Sequence, residues 1–322
     1  MPGAGIAPSP ARRHQGEAVL TDLHVTGLRY VALAGPEFAP EHQFIRDLWG
    51  LREVGRDGDL AWFAAEASDE PFVFRLRGAP ERRLDLIGFS ARDAASVDAI
   101  AERLARAGVK LLGEPGRLAS PGGGYGFRCF DADGHVVEVS SEVAARQARP
   151  LGRGESIPAT LSHVVLHSPD LKKSEAFYEE QLGFRLSDRL GDFMSFLRCS
   201  AIHHSLAFIP GPPALNHIAF EMRDIDEMMR GAGRLMKQNV TLDWGPGRHV
   251  AGNNGFCYFH DRMGNTLEYT AEVDRVDESW QPTVYAPTPE ITDQWGTSAL
   301  TGGPQRMGKP VPDPGVWQAP PV

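Results

Sequence analysis

The sequence predicts an α+β fold of four βαβββ modules in two duplicated lobes, and three observations predict it. A chain of 322 residues exceeds the usual size of one hydrophobic core. Four segments share one order of elements: an alternating apolar strand, an amphipathic helix, then short strands. Corresponding positions of the two halves recur at nearly constant separations.

In chain order, the first module opens with the strand Leu28–Leu33 (LRYVAL), followed by a helix over Pro40–Trp49 that stops at Gly50. The second opens with Leu84–Phe89 (LDLIGF), and its helix Ala94–Ala107 stops at Gly108. In the third, Leu161–Leu166 (LSHVVL) alternates as a strand, and Ser168-Pro169-Asp170 offers a turn and a helix start. Leu171–Leu182 then carries Ala176, Phe177 and Leu182 at helical spacing, Gly183-Phe184 ends it, and Phe193–Leu197 and Ser205–Ile209 read as strands. The fourth has the strand Leu215–Met222 (LNHIAFEM), the helix Ile225–Gln238, and strands Gly255–Phe259 and Asn265–Thr270 around the turn Asp261–Gly264.

Gly126–Val139 (GFRCFDADGHVVEV) lines up with Gly255–Tyr269 (GFCYFHDRMGNTLEY) if the second turn holds one extra residue, which places Cys129 opposite Tyr258. The pairs Tyr30/His163, Leu86/His217 and Glu138/Glu268 are 133, 131 and 130 residues apart. The expected organisation is a flexible extension (1–22), a metal-free lobe (23–145), a catalytic metal-binding lobe (146–276) and a Pro/Gly-rich tail (277–322), with the lobes joined around Glu142–Thr160. Trp280, Tyr285 and Trp295 should pack the start of the tail on the C-terminal lobe, and Gly302–Val322 should be poorly ordered or lie across the surface.

Composition excludes several classes of function. A net charge of -9 argues against non-specific nucleic-acid binding. Cys129, Cys199 and Cys257 are too few and too scattered for a disulfide framework or a thiolate zinc site, so a reducing cytoplasm fits. Met1–Val19 lacks the apolar run of a secretory signal, and no segment approaches the roughly 20 apolar residues that span a bilayer.

The comparison of halves also locates the chemistry. Where the N-terminal lobe has Tyr30, Leu86 and Glu138, the C-terminal lobe has His163, His217 and Glu268. A lone histidine on a strand is commonly a hydrogen-bonded core or surface residue. Two histidines and a carboxylate on three matching strands form the set of a non-haem Fe(II) oxygenase, which leaves positions for a chelating substrate and O2.

At these residues the chain resembles the vicinal oxygen chelate superfamily, with its glyoxalase-like fold, and within it the type I extradiol catechol dioxygenases. SHVVLHSPDL, HHSLAF, LNHIAFEM, GRH and NTLEY, with a Tyr ten residues before the carboxylate ligand, occur in the family's order. The resemblance implies that His163, His217 and Glu268 bind Fe(II), or Mn(II) in some members. It makes His204 the acid–base histidine, His249 a substrate-contacting histidine and Tyr258 the tyrosine near the substrate hydroxyl. It also implies a catecholic substrate, O2, a role in aromatic catabolism and a homo-oligomer. Val165 departs from members with Asn there, which bears on substrate contacts. His203 and His204, taken as strand neighbours, should face opposite ways with His204 in the pocket. His167, His260 and Arg248 are weaker candidates, with His260 expected at the surface beside a turn. The rival readings are a glyoxalase-like isomerase or lyase, a non-enzymatic aromatic- or drug-binding protein, and a hydroquinone-cleaving dioxygenase.

Overall fold

The computed structural model describes residues 24–315 and 317; the expected extension 1–22 lies outside them. Four βαβββ modules are present, each with its first and last strands paired in parallel. In the first, Val25–Gly35 pairs in parallel with Phe74–Gly78, because the helix between them carries the chain over the sheet. In each lobe the first strands of two modules join antiparallel. Val25–Gly35 meets Arg83–Ala91 in one lobe, and Thr160–Ser168 meets Ala214–Glu221 in the other.

Among the described residues, the N-terminal sheet has eight strands and runs through Arg52–Asp57, Leu60–Ala64, Phe74–Gly78, Val25–Gly35, Arg83–Ala91, Val136–Ser141, Tyr125–Phe130 and Gly116–Arg117. The C-terminal sheet runs through Leu242–Arg248, Gly255–His260, Thr266–Ala271, Ala214–Glu221, Thr160–Ser168, Leu206–Pro210, Met194–Arg198 and Arg185–Leu190. A ninth strand there, Thr283–Tyr285, comes from the tail and pairs with Arg185–Leu190.

The helices form where sequence capping and spacing coincide. Asp93, Asp170 and Asp224 each accept a backbone N–H from the first turn, of Ser96, Lys173 and Glu227 respectively. Along Ile225–Lys237 the buried face is Met228, Gly231, Ala232 and Leu235, the stripe that a 3.6-residue period lays on a sheet. The first helix of each lobe closes in π-helical turns, Phe44–Trp49 and Phe177–Gln181. Gly50, at φ 98°, ends the first of these, with its N–H on Ile45 O five residues back.

Those turns carry the aromatic residues that join the lobes. Trp49 packs on Tyr269 with ring centroids 4.0 Å apart, and the Tyr269 hydroxyl donates to Trp49 O. In the reciprocal contact, Tyr178 packs edge-on against Phe89 and donates to Asp131 Oδ2. The core is therefore continuous across both lobes.

The tail crosses both lobes. Trp280 donates to Ser187 O, while Trp295 stays largely exposed over Arg248. Farther along, the described part of the tail lies mostly exposed across the surface, one of the two expected paths, and reaches the N-terminal lobe. Asp313 accepts from Leu84 N there, and Trp317 stacks on Arg83 and donates to Asp85 Oδ1. The three cysteines are free, and no helix among the described residues is long and apolar enough to cross a membrane.

Candidate metal centre

His163 lies on Thr160–Ser168, His217 on Ala214–Glu221 and Glu268 on Thr266–Ala271, three adjacent strands of the C-terminal sheet. The ladder fixes their registration, with Ala219 pairing with both His163 and Glu268 and His217 opposite Val165. The N-terminal lobe repeats it, with Gly88 pairing with both Tyr30 and Glu138 and Leu86 opposite Ala32. The three equivalences expected from the offsets thus share one geometry.

One equivalence needs correcting. Glu138 pairs with Arg128, and Glu268 pairs with Tyr258. The turns after these strands are equal in length, so there is no extra residue. Arg128, not Cys129, is the counterpart of Tyr258.

His163, His217 and Glu268 are buried, with Nε2 of each imidazole at 3.2 and 3.1 Å from Glu268 Oε2 and 3.4 Å from each other. Ligands about 2.1 Å from one ion at right angles stand about 3.0 Å apart, so this spacing suits one divalent metal. Glu268 Oε2 is buried without a hydrogen bond, an acceptor left for a cation. Burial alone would raise the Glu268 carboxyl, but His163 and His217 beside it outweigh burial and hold it well below the usual carboxylate range. Burial, reinforced by His163, pushes His217 down toward the neutral imidazole a metal requires. The residues present fit the metal.

The lone pair of His217 is aimed by a hydrogen-bond chain that the sequence did not reveal. Pro210 O accepts from His167 Nδ1 at 3.2 Å, so His167 Nε2 is free to accept from Asn216 Nδ2 at 3.0 Å. Asn216 Oδ1 then accepts from His217 Nδ1 at 2.6 Å, which leaves Nε2 unprotonated toward Glu268. Asn216 was missed, although it immediately precedes the ligand; His167 is a support within this chain.

His204 sits in the loop before Leu206–Pro210, not on a strand. Its ring lies 4.2 Å from that of His163. Burial first, then the surrounding imidazoles, holds it far below the ordinary histidine range. His203 does not face away, because its Nδ1 is 3.0 Å from His204 Nδ1 and its Nε2 donates to Asp188 Oδ2 at 2.8 Å.

His249 is partly buried, and desolvation first of all lowers it to about 4. Its Nδ1 donates to Thr292 O at 2.6 Å, so its Nε2 accepts the Tyr258 hydroxyl at 3.1 Å. Tyr258 stands edge-on to His217, 5.1 Å away. Arg248 points outward, paired with Glu272 and Asn253. His260 lies at the surface beside the turn, its side chain 31% exposed, and binds Asp243 and Met307 O.

This geometry agrees with known proteins. Residues 35–139 and 160–269 match the Glyoxalase/Bleomycin resistance protein/Dioxygenase superfamily. Metapyrocatechase 2 of Cupriavidus necator is 30% identical over 309 residues, 89% of this chain and 93% of the relative. Biphenyl-2,3-diol 1,2-dioxygenase of Paraburkholderia xenovorans is 26% identical over 277 residues, 80% of this chain and 91% of the relative. The crystal structure of a Mn(II)-bound glyoxalase from Novosphingobium aromaticivorans is 47% identical, with a TM-score of 0.90, covering 92% of this chain and 98% of that one. The chain belongs to this vicinal oxygen chelate superfamily, as an oxidoreductase of the extradiol dioxygenase type.

Proposed function

We propose that the chain cleaves a catecholic ring beside its diol, inserting both atoms of O2, with His163, His217 and Glu268 holding Fe(II). Mn(II), the ion bound in the 47% identical structure, would suit the same donors. The observation that carries this reading is a group of three candidate metal ligands supplied wholly by one lobe, with a further buried histidine, His204, packed against one of them. When bound, a divalent metal would acidify the oxygens of a chelated catechol and hold O2 beside it.

The chain's own residues do the rest. His204, neutral because buried, removes a catechol proton and returns it to the substrate as the ring opens. Tyr258 presents a hydroxyl that burial keeps protonated, and His249 holds it in place through the carbonyl of Thr292. Trp244, stacked on Tyr258 at 12°, fixes the plane of that ring. A homo-oligomer in the cytoplasm completes the proposal.

That similar structure is of a glyoxalase, which favours a second reading, metal-assisted isomerisation of a hemithioacetal without O2. One experiment separates the two. The chain is loaded with Fe(II) under anaerobic conditions and offered a catechol panel, with O2 uptake and absorbance recorded. One O2 per ring and a yellow 2-hydroxymuconic semialdehyde-type product are expected. A muconic acid as sole product would refute extradiol cleavage, and hemithioacetal turnover without O2 uptake would establish the second reading.

A further inference from the structure

We propose that Asp188 and His203 are positioning residues that fix the tautomer of His204, with its Nδ1 protonated and its Nε2 lone pair left for the substrate. The inference rests on His204 being the acid–base group.

The proton positions follow from who can donate. A carboxylate only accepts, so in the 2.8 Å contact His203 Nε2–H donates to Asp188 Oδ2. A neutral His203 then has only a lone pair at Nδ1. The 3.0 Å contact between the two Nδ1 atoms is a hydrogen bond only if His204 supplies the proton. His204 must therefore be protonated at Nδ1, which leaves Nε2, on the far edge of the ring, as a base. The opposite arrangement needs a cationic His203, which Asp188 would favour and a divalent cation beside His163 would oppose, so the tautomer of His204 is the quantity to measure. No proton passes along the chain; Asp188 and His203 set an orientation.

The structure holds this relay rigidly. Asp188, His203 and His204 are all at most 2% exposed. The other carboxylate oxygen, Asp188 Oδ1, accepts the backbone N–H of Thr283 at 2.7 Å. His203 N donates to Asp274 O, and the ring is flanked by Phe196 and by the edge of Trp280. Gly252, at φ 78°, lies against both imidazoles, and a Cβ there would come within 3.0 Å of His204 Cε1 and 3.1 Å of His203 Nδ1. Thr283 and Trp280 belong to the tail. That gives the segment after the C-terminal lobe a second task in the site, beside the Thr292 carbonyl that holds His249.

Asp188→Asn tests the proposal by reversing the logic with little change of shape. Thr283 N keeps the amide oxygen in the place of Oδ1, so the amide N–H2 must donate to His203 Nε2. His203 then carries its proton on Nδ1 and donates to His204, which is left protonated at Nε2. In the analogous catalytic triads this wrong-tautomer substitution slows turnover by about 10⁴.

The measurement is a long-range 1H–15N correlation spectrum of the full chain, 15N-labelled at histidine and loaded with diamagnetic Zn(II). The His204 signals are identified by their absence in His204→Phe. The wild-type spectrum should show the Nδ1–H form of His204, and Asp188→Asn should show the Nε2–H form. With Fe(II), Asp188→Asn should lower kcat by about 10²–10⁴ while KM and metal content stay near wild type. An Nε2–H tautomer in the wild-type chain overturns the relay without recourse to any variant, and so does an unchanged tautomer in Asp188→Asn. An inverted tautomer with undiminished kcat upholds the relay but removes His204 from the chemistry, so failure of the relay and failure of the underlying mechanism give different results.

Discussion

Glu138 and Glu268 stand at the same point of two matching sheets, each at most 1% exposed, and each needs a positive partner. In the N-terminal lobe that partner is protein. Arg128 Nε donates to Glu138 Oε2 at 2.9 Å, and Tyr30, at the His163 position, donates to Oε1 at 2.9 Å. Leu86 fills the His217 position in an apolar cluster with Tyr30, Trp62 and Phe72, and Trp317 from the tail packs over it. In the C-terminal lobe Tyr258 replaces Arg128, both other positions are imidazoles, and Glu268 Oε2 has no donor. The difference teaches that the carboxylate alone does not make a metal site. The candidate site lies where the duplicated scaffold lacks its internal cation and has two imidazoles in place of Tyr30 and Leu86.

The largest expected effect is on metal content. His217→Ala should lose nearly all bound Fe(II) or Mn(II) by elemental analysis, since two ligands hold such an ion poorly. Glu138→Ala should keep one metal per folded chain. It should nevertheless unfold more easily, by about 3–5 kcal/mol, because Arg128 is left as an unpaired, largely buried charge. Metal loss in Glu138→Ala with retention in Glu268→Ala would reverse the assignment of the lobes.

Next in size is the rate. His204→Phe should retain metal and bind catechol, yet turn over roughly 10²–10⁴ times more slowly, the range of general acid–base catalysis. Metal loss in that variant, with normal turnover once reconstituted, would make His204 structural.

The third contrast lies in the turns. Asp131 holds His135, whereas Asp261 holds Asn265, whose Nδ2 donates to Oδ2 at 2.7 Å. Burial opposes a charge on His135, but Asp131 outweighs it and lifts the imidazole to about 9. A raised folded value means the stabilisation is complete below the unfolded pKa of about 6.5 and is lost as pH rises through about 9. Urea unfolding of the wild type should therefore weaken between pH 6 and 9.5 by about 3 kcal/mol more than that of His135→Asn, which gives the N-terminal turn the residue of the other lobe. Equal slopes would show that His135 is neutral in the folded chain.

Much of this was legible in the sequence, and the failures have physical causes. Strand alternation and the offsets located the modules and the triad, because a sheet ladder keeps equivalent residues in register. The Arg128–Tyr258 equivalence was lost by matching Phe130 with Phe259, an identity that forced a gap where side-chain direction allows none. His203 was set aside as a strand neighbour facing away, but a loop imposes no alternation. Asp188, fifteen residues from His203, leaves no local signal, since only the fold brings the two together. Asn216 was passed over for a similar reason: its part in the site lies in a hydrogen-bond chain through His167, far off in sequence.

The smallest effect concerns Tyr258, which stands where the other lobe has a cation. Its ring stacks on Trp244 and meets the edge of His217, so Tyr258→Phe keeps the shape of the pocket. What is lost is one hydroxyl, whose proton goes to His249 Nε2 because His249 Nδ1 is committed to Thr292 O. A single hydrogen bond of this kind contributes about 0.5–1.5 kcal/mol, so turnover should fall roughly tenfold or less, with metal content unchanged. Arg128→Met in the other lobe should lower stability instead and leave turnover per folded chain alone, because Glu138 loses its counter-charge while the C-terminal site is untouched. A fall of more than about 10² in Tyr258→Phe would exceed a hydrogen bond's worth. It would move the proton transfer from His204 to Tyr258, and with it the reason this lobe carries a phenol where its twin carries a guanidinium.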